Sequence, residues 1–239
     1  MSQTIVDLRE KAIEIAKAGG HHTRQYFNSN LAVEKKADNS PVTRADRETE
    51  QLMRQMVEDE FPEHGIIGEE FGRKNTDSNI QWIFDPIDGT RSFIHGVPLY
   101  APILDEVCDG AKGLGARLNG KSCSVRACKS LSDVTFLTTD VTHAKECNLD
   151  RAQQALLDQT NLHRTWGDAY GHMLVATGRA DIMFDAELSI WDAAPLLPIL
   201  QEAGGIFSDT NGNQIIDGPN GFSCNKTLYP KIMNVLSNS

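Results

Sequence analysis

In QWIFDPIDGTRSF, residues 81–93, an apolar strand pattern runs straight into a turn that carries two acids. Trp82, Ile83 and Phe84 form an apolar run that reads as a buried strand and stops abruptly at Asp85-Pro86-Ile87-Asp88-Gly89-Thr90. Proline fixes the backbone at a turn and removes a donor, while glycine lets the backbone come close to a ligand. Two aspartates three positions apart therefore sit on a tight bend at a strand end. There they repel one another unless a cation lies with them.

Other acids stand at comparable places. Glu69 and Glu70 follow the short apolar run Gly65-Ile66-Ile67, and Asp192 opens a helical pattern. A hard divalent cation such as Mg²⁺ takes oxygen ligands, usually a few carboxylates completed by water and substrate phosphate. Two such ions can hold both the attacking water and the leaving oxygen of an in-line phosphoryl displacement. Taken alone, GEE is an ordinary solvated loop and Asp192 an ordinary helix cap. The paired aspartates of DPIDGT tip the reading toward metal chemistry.

Around this centre the periodicity predicts a helix over 4–18 stopped by Gly19-Gly20, then a short strand and turn. A second helix follows over 44–60, capped by Thr43, with Met53 and Met56 as core filling. Beyond the bend come a strand within 131–140, a helix over 169–177 ended by Gly178, a strand in ADIMFD and a helix from Asp192 to Ala203. Pro198 is expected to kink that last helix. The domain boundary is expected near residue 130, between an α+β metal-binding domain (1–130) and an α/β domain (131–239) that completes the cleft.

Bulk properties narrow the function. A net charge of −10 in 239 residues argues against wrapping nucleic acid or lying on an anionic membrane. It is equally awkward for a protein that handles phosphates, unless metal cations invert the local field. Five cysteines with no CxxC pair read as reduced thiols, which with the absence of an apolar leader predicts a cytoplasmic protein. His21-His22 after the helix stop and His64 in a loop read as solvated, and nothing marks His95 as a base.

GEEFG (68–72), WIFDPIDGTRSF (82–93) and WDAAPLLPILQEAGG (191–205), in that order, resemble the inositol monophosphatase family of Mg²⁺-dependent, lithium-sensitive phosphatases. The resemblance runs over nearly the whole chain. It implies a layered αβαβα sandwich, α+β in the first half and α/β in the second, and a possible homodimer. It also implies direct attack on a small phosphate monoester by a metal-activated water. Position by position, Glu69 is similar to a family metal ligand, with Glu70 its neighbour. Asp85 resembles the carboxylate bridging two metals and Ile87 the donor of a backbone carbonyl. Asp88 and Asp192 resemble ligands of the second metal. Asp46, in PVTRAD, matches the aspartate that pairs with the DGT threonine, here Thr90, to orient and help deprotonate the water. The N–H groups of Gly89 and Thr90 open a helix toward the phosphate.

Arg164 and Gly167-Asp168-Ala169 align with the elements that meet the organic part of the substrate, and Asp185 with an acid that contacts a hydroxyl or amine. KADNSPVTRAD (36–46), RSFIHG (91–96) and WGDAYGH (166–172) resemble the histidinol-phosphatase branch more than the inositol branch. Aspartates at 168 and 185 suit an ammonium or imidazolium group. Against this, Asp168 reads equally well as the cap of the helix at 169. An inositol or broad-specificity monoester phosphatase is the alternative. A nucleotide or sugar bisphosphate phosphatase would need more basic residues than Arg164 and Arg91.

The pattern departs from the family after HGVPLY (95–100). The KGLGARLNG stretch (112–120) arrives too soon by on the order of twenty residues, the size of a long hairpin. The first domain's sheet is therefore expected to be shortened after Tyr100, leaving an exposed edge. That loss raises a rival of another class, a non-catalytic relative. One decoy remains: residues 115–122, GARLNGKS, fit the P-loop expression letter for letter. A P-loop follows a buried strand and opens a helix. VCDGAKGL (107–114) is no such strand, so a hairpin turn is expected instead.

Overall fold

The computed structural model describes residues 4–37 and 40–238, and its contacts divide the chain into two units, Met1–Val107 and Cys108–Ser239. The first unit begins with α1 (Ile5–Arg24), capped by Thr4 and running straight through Gly19-Gly20 instead of stopping there. The glycines serve packing. A Cβ on Gly19 would lie 2.9 Å from Met53 Sδ, and one on Gly20 would lie 3.1 Å from Pro102. His21 and His22 consequently lie within the helix, and the His22 ring packs edge-on against Tyr26.

An antiparallel hairpin, β1 (Val33–Lys35) and β2 (Pro41–Thr43), leads into α2 (Arg44–Glu60). Thr43 caps α2 in a reciprocal box with Asp46, satisfying two of the free N–H groups at the helix start. Then come β3 (Gly65–Gly68), β4 (Gly72–Lys74) and β5 (Gln81–Phe84), in sheet order β4-β3-β5. β3 pairs antiparallel with β4 and parallel with β5. Ile15 of α1 and Met53 and Val57 of α2 bury against Ile66, Trp82 and Phe84 of this sheet. His64, expected in solvent, stacks on Phe61 and takes a hydrogen bond from the Trp82 indole N–H at 3.1 Å.

After α3 (Thr90–Ile94) a single 3₁₀ turn, Ala101–Leu104, closes the unit. Among the described residues β5 has a hydrogen-bonded neighbour on one side only, so it is an edge strand. Val97 and Leu104 are both exposed near this closing turn. The unit thus ends where the sequence is short of a hairpin.

The second unit begins about twenty residues before the boundary expected near residue 130. The small antiparallel sheet of β6 (Cys108–Gly110), β7 (Ala116–Leu118) and β8 (Lys121–Ser122) belongs to it. Gly110 explains the attachment: a Cβ there would lie 2.8 Å from the Ile199 backbone, so only glycine permits so close an approach. Asn119 and Gly120 join β7 to β8 with φ of 49° and 75°, the two positive values of a tight hairpin turn. GARLNGKS is thus strand, turn and strand.

Next come β9 (Thr135–Thr138), α4 (His143–Glu146), α5 (Asp150–Leu157), β10 (Leu162–Arg164), α6 (Asp168–Ala176), β11 (Ile182–Asp185) and α7 (Ile190–Glu202). The unit closes with β12 (Gly205–Ser208), β13 (Gly221–Asn225) and α8 (Tyr229–Leu236). Pro195 and Pro198 both lie inside α7. The main sheet runs β10-β9-β11-β13-β12, with β10, β9 and β11 parallel and β13 antiparallel to its neighbours. Both faces are covered. Leu137 and Met183 pack with α6 and α7, whereas Phe136, Ile182, Phe184 and Phe222 pack with α5 and α8. Burial on both faces is why these strands read as unbroken apolar runs.

A hairpin turn at 119–120 predicts that Lys121→Ala leaves phosphate-releasing activity unchanged and shifts stability by no more than about 0.5 kcal/mol. ATP binding abolished by Lys121→Ala in an isothermal titration would restore the nucleotide reading.

Candidate active site

The acidic end of the first unit is set by strand register. In the parallel β3–β5 pair Gly68 lies opposite Phe84, so the next residues, Glu69 and Asp85, leave adjacent strands at one level. The Glu69 N–H donating to the Phe84 carbonyl at 3.2 Å extends the ladder to that point. Asp85 then folds back, its Oδ1 accepting from the Ile87 N–H at 2.9 Å. This bend brings Asp88 beside it, with carboxylate oxygens of the two within 4.8 Å. The Ile87 side chain is 1% exposed, packed with Ala45, Phe93 and Tyr100, so its carbonyl is anchored from behind. Gly89 takes φ 77°, ψ 40°, a left-handed conformation that suits glycine, and caps α3.

Asp46 is 1% exposed and serves two structures at once. Its Oδ2 accepts from the Thr43 N–H (2.7 Å) and Thr43 Oγ1 (2.6 Å), while Oδ1 accepts from Thr90 Oγ1 at 3.2 Å. Thr90 Oγ1 also approaches the Ile87 carbonyl at 3.0 Å. The hydroxyl has one proton, directed at these two acceptors, so its lone pairs remain available to accept from a further donor.

Three features here escape a reading by motif. Glu50 is fully buried; its oxygens accept from the N–H groups of Glu70 (2.7 Å) and Phe71 (3.2 Å) and from Arg54 Nε (2.7 Å). It thereby pins the segment carrying Glu69. The spacing of Asp46, Glu50 and Arg54 at i, i+4 and i+8 along one helix face was the available signal. Gly68 makes room for it, since a Cβ there would fall 2.0 Å from Glu50 Oε1. Lys36 places its ammonium 2.6 Å from an oxygen of both Glu69 and Glu70. Burial works against the Lys36 charge, but the two carboxylates outweigh it and hold its pKa above the ordinary value. Burial likewise pushes Glu70 up, against the pull of Lys36.

In the second unit Asp192 is the third residue of α7, where its Oδ2 accepts from the Ser189 N–H at 2.7 Å. Arg164 is exposed at the end of β10. Asp168 opens α6 with φ 56°, an uncommon conformation for a non-glycine residue. Its N–H donates to Thr139 Oγ1 at 2.8 Å, and that hydroxyl donates in turn to Asp185 Oδ1. Asp185 is 5% exposed, and its Oδ2 meets His172 Nε2 at 2.9 Å. The chain ends at Ser223 Oγ, 2.5 Å from His172 Nδ1. Both Asp185 oxygens are thus engaged inside the protein, and Asp185 reaches Asp168 through Thr139. Gly167 allows this closeness, because a Cβ there would lie 2.4 Å from Thr139 Cα.

The donors of the first unit (Glu69, Asp85, Asp88 and the Ile87 carbonyl) are all oxygen, the set a hard divalent cation prefers. Lys36 shows that the Glu69–Glu70 pair accommodates a positive charge. The residues therefore fit a divalent metal.

Comparison with known proteins gives the class. The sequence profile of the inositol monophosphatase family matches residues 6–101 and 99–238. The chain is 40% identical to a histidinol-phosphatase of Chlorobaculum parvum, with 95% of each chain covered. It is 32% identical to a histidinol-phosphatase of Mycobacterium tuberculosis, covering 95% of this chain and 96% of that one. Among solved structures, the extragenic suppressor protein SuhB of Bartonella henselae superposes with a TM-score of 0.89 at 25% identity, over 97% of this chain and 99% of that one. The fold is the mixed α/β layered fold of metal-dependent phosphomonoesterases. The chain belongs to the inositol monophosphatase family and is a phosphoric monoester hydrolase with a divalent-metal site.

The two profile segments meet at residues 99–101, where the sequence departs from the family. The alignment to the Chlorobaculum protein spans 251 positions while covering 95% of these 239 residues, so about two dozen of its positions have no counterpart here.

Glu50→Ala would take the buried acceptor from the half-buried Arg54 and from the Glu70 and Phe71 N–H groups, and release the Glu69–Glu70 segment. A stability loss of about 3–5 kcal/mol is expected, read as a fall in Tm with a parallel fall in phosphate release. An unchanged melting curve would show that Glu50 is not the anchor of this loop.

Proposed function

We propose that the protein hydrolyses histidinol phosphate to histidinol and inorganic phosphate, with Mg²⁺ as its metal. The observation that carries the reaction is the joint placement of Glu69, Asp85 and Asp88 at one strand end with the Asp46–Thr90 pair beside them. Glu69, Asp85, Asp88 and the Ile87 carbonyl would hold the metal. When bound, the metal supplies charge neutralisation for the phosphate and acidifies water.

The remaining work falls to the chain's own groups. Thr90 Oγ1, its proton committed to Asp46 and the Ile87 carbonyl, accepts a hydrogen bond from the attacking water and orients it. As the water gives its proton to Thr90 Oγ1, the Thr90 proton passes to Asp46 Oδ1, and Glu69 assists from the end of the neighbouring strand. The N–H groups of Gly89 and Thr90 serve the phosphate. With the carboxylates given over to the metal and the Thr90 hydroxyl to the water, the attacking group in this reading is water itself.

The substrate assignment rests on the two histidinol-phosphatase relatives and on Asp168. The Asp168 position, fixed through Thr139 and Asp185, suits an ammonium or imidazolium group, with Arg164 and Gly167 alongside. Asp185 then acts as a positioning residue. A cytoplasmic location and a homodimer go with this reading.

The deciding measurement is phosphate release, with and without Mg²⁺, from a panel led by histidinol phosphate and inositol 1-phosphate. Preference for histidinol phosphate is expected. Metal-dependent release from another monoester would overturn the substrate and keep the chemistry. Silence from a folded sample would mean the shortened first unit has cost the chain its turnover.

Asp85→Asn should abolish turnover while leaving the circular dichroism unchanged, and wild-type activity in that variant would sink the metal mechanism. Thr90→Ala should lower kcat by about 10²–10⁴-fold, the range of positioned proton transfer, with little change in KM.

A further inference from the structure

The second unit contains another group of potential ligands, with different chemistry. β9 is followed by a tight turn in which Asp140 Oδ1 accepts from the Thr142 N–H at 2.7 Å and the Thr142 hydroxyl at 2.8 Å. This turn starts the single-turn helix α4, closed by the Cys147 N–H donating to the His143 carbonyl at 3.1 Å. His143 and Cys147 are therefore four apart on one helical face. β11 runs parallel beside β9, with Phe184 opposite Thr138, and two residues past its end Glu187 comes up to the same place. Donor atoms of His143, Cys147 and Glu187 all lie within 4.8 Å of one another.

The imidazole orientation is the independent clue. His143 Nε2 faces Glu187 Oε2 at 2.8 Å, while Nδ1 faces Glu146 Oε2 at 3.1 Å. A histidine that binds metal through one nitrogen commonly donates the other N–H to a carboxylate, which fixes the tautomer. Glu146 already stands in that position.

We propose that His143 Nε2, Cys147 Sγ and Glu187 form a binding site for Zn²⁺ or a similar borderline-soft cation. One nitrogen, one sulfur and one oxygen donor are a set that zinc takes and magnesium does not. The site therefore discriminates against the metal of the all-oxygen centre. Ligand distances of about 2.0–2.3 Å put tetrahedral donors about 3.3–3.8 Å apart, so the 2.8 Å contact between His143 Nε2 and Glu187 Oε2 opens by roughly half an ångström as the metal enters. His143 and Cys147 are half-buried and Glu187 is exposed, so rotamer changes suffice. On binding, the S–H proton of Cys147 and the shared imidazole proton pass to solvent as the metal–sulfur and metal–nitrogen bonds form. With three protein ligands, the fourth position goes to water. The cation would tie the ends of β9 and β11 together, the same two segments from which Thr139 and Asp185 hold Asp168.

Co²⁺ alone, titrated into the folded full-length protein, tests this. A thiolate-to-cobalt charge-transfer band in the near ultraviolet is expected at one equivalent, bleached by Zn²⁺. The all-oxygen centre cannot give such a band, so the result is independent of the proposed function. The band should vanish in Cys147→Ser and persist in Cys108→Ser, Cys123→Ser and Asp85→Asn. Glu146→Gln should weaken binding about 10- to 100-fold, and Glu187→Ala should weaken it too while leaving the fold untouched. No band in the wild-type protein, or a band that survives Cys147→Ser, would overturn the site.

Discussion

The parallel pairing of β3 with β5 is the constraint on which the acidic site depends. Once Gly68 lies opposite Phe84, Glu69 and Asp85 have no choice but to emerge side by side. Like charges at that spacing repel by several kcal/mol in a partly dry setting. They are kept in place by groups bound elsewhere: Glu50 under the Glu69–Glu70 segment, the Ile87 N–H on Asp85, and Lys36 across both glutamates. The geometry persists because the backbone is fixed first and the charges are carried on it.

Asp46 links the start of α2 to the DPIDGT bend. The carboxylate that satisfies the start of α2 also accepts the hydrogen bond of the Thr90 hydroxyl, so the residue cannot drift without fraying the helix. The second unit uses a similar economy. Its Asp168 is held through Thr139 by Asp185, Asp185 by His172 and His172 by Ser223, a run of polar groups that is buried from Asp185 onward. Such networks rigidify when fully satisfied. Both oxygens of Asp185 are taken up within this network.

The shortened segment begins at Tyr100, whose ring packs behind Ile87 of the DPIDGT bend. β5 is left as an edge, and β6, β7 and β8 attach to the second unit through Gly110. The residues of the acidic site lie on the ends of strands and on the start of α2, away from the closing 3₁₀ turn in sequence. A family member can therefore lose sheet area while retaining its site residues. The cost falls on stability and on the unpaired strand edge.

Much of this was legible in the chain itself. The WIFDPIDGT bend, the α2 cap at Thr43, the hairpin reading of GARLNGKS and the family resemblance all rest on local patterns: apolar runs, turn residues and cap spacing. These act over a few residues and leave their mark in the sequence. The end of α1 was misread because Gly19 and Gly20 are local helix breakers whose role here is to admit Met53 and Pro102, residues far away along the chain. The same limit hid Glu50, His64 and the Asp185–His172–Ser223 run. Glu187 beside α4 belongs with them. Which buried polar atom meets which partner is decided by strand register and helix packing between distant segments, and only the tertiary structure carries that information.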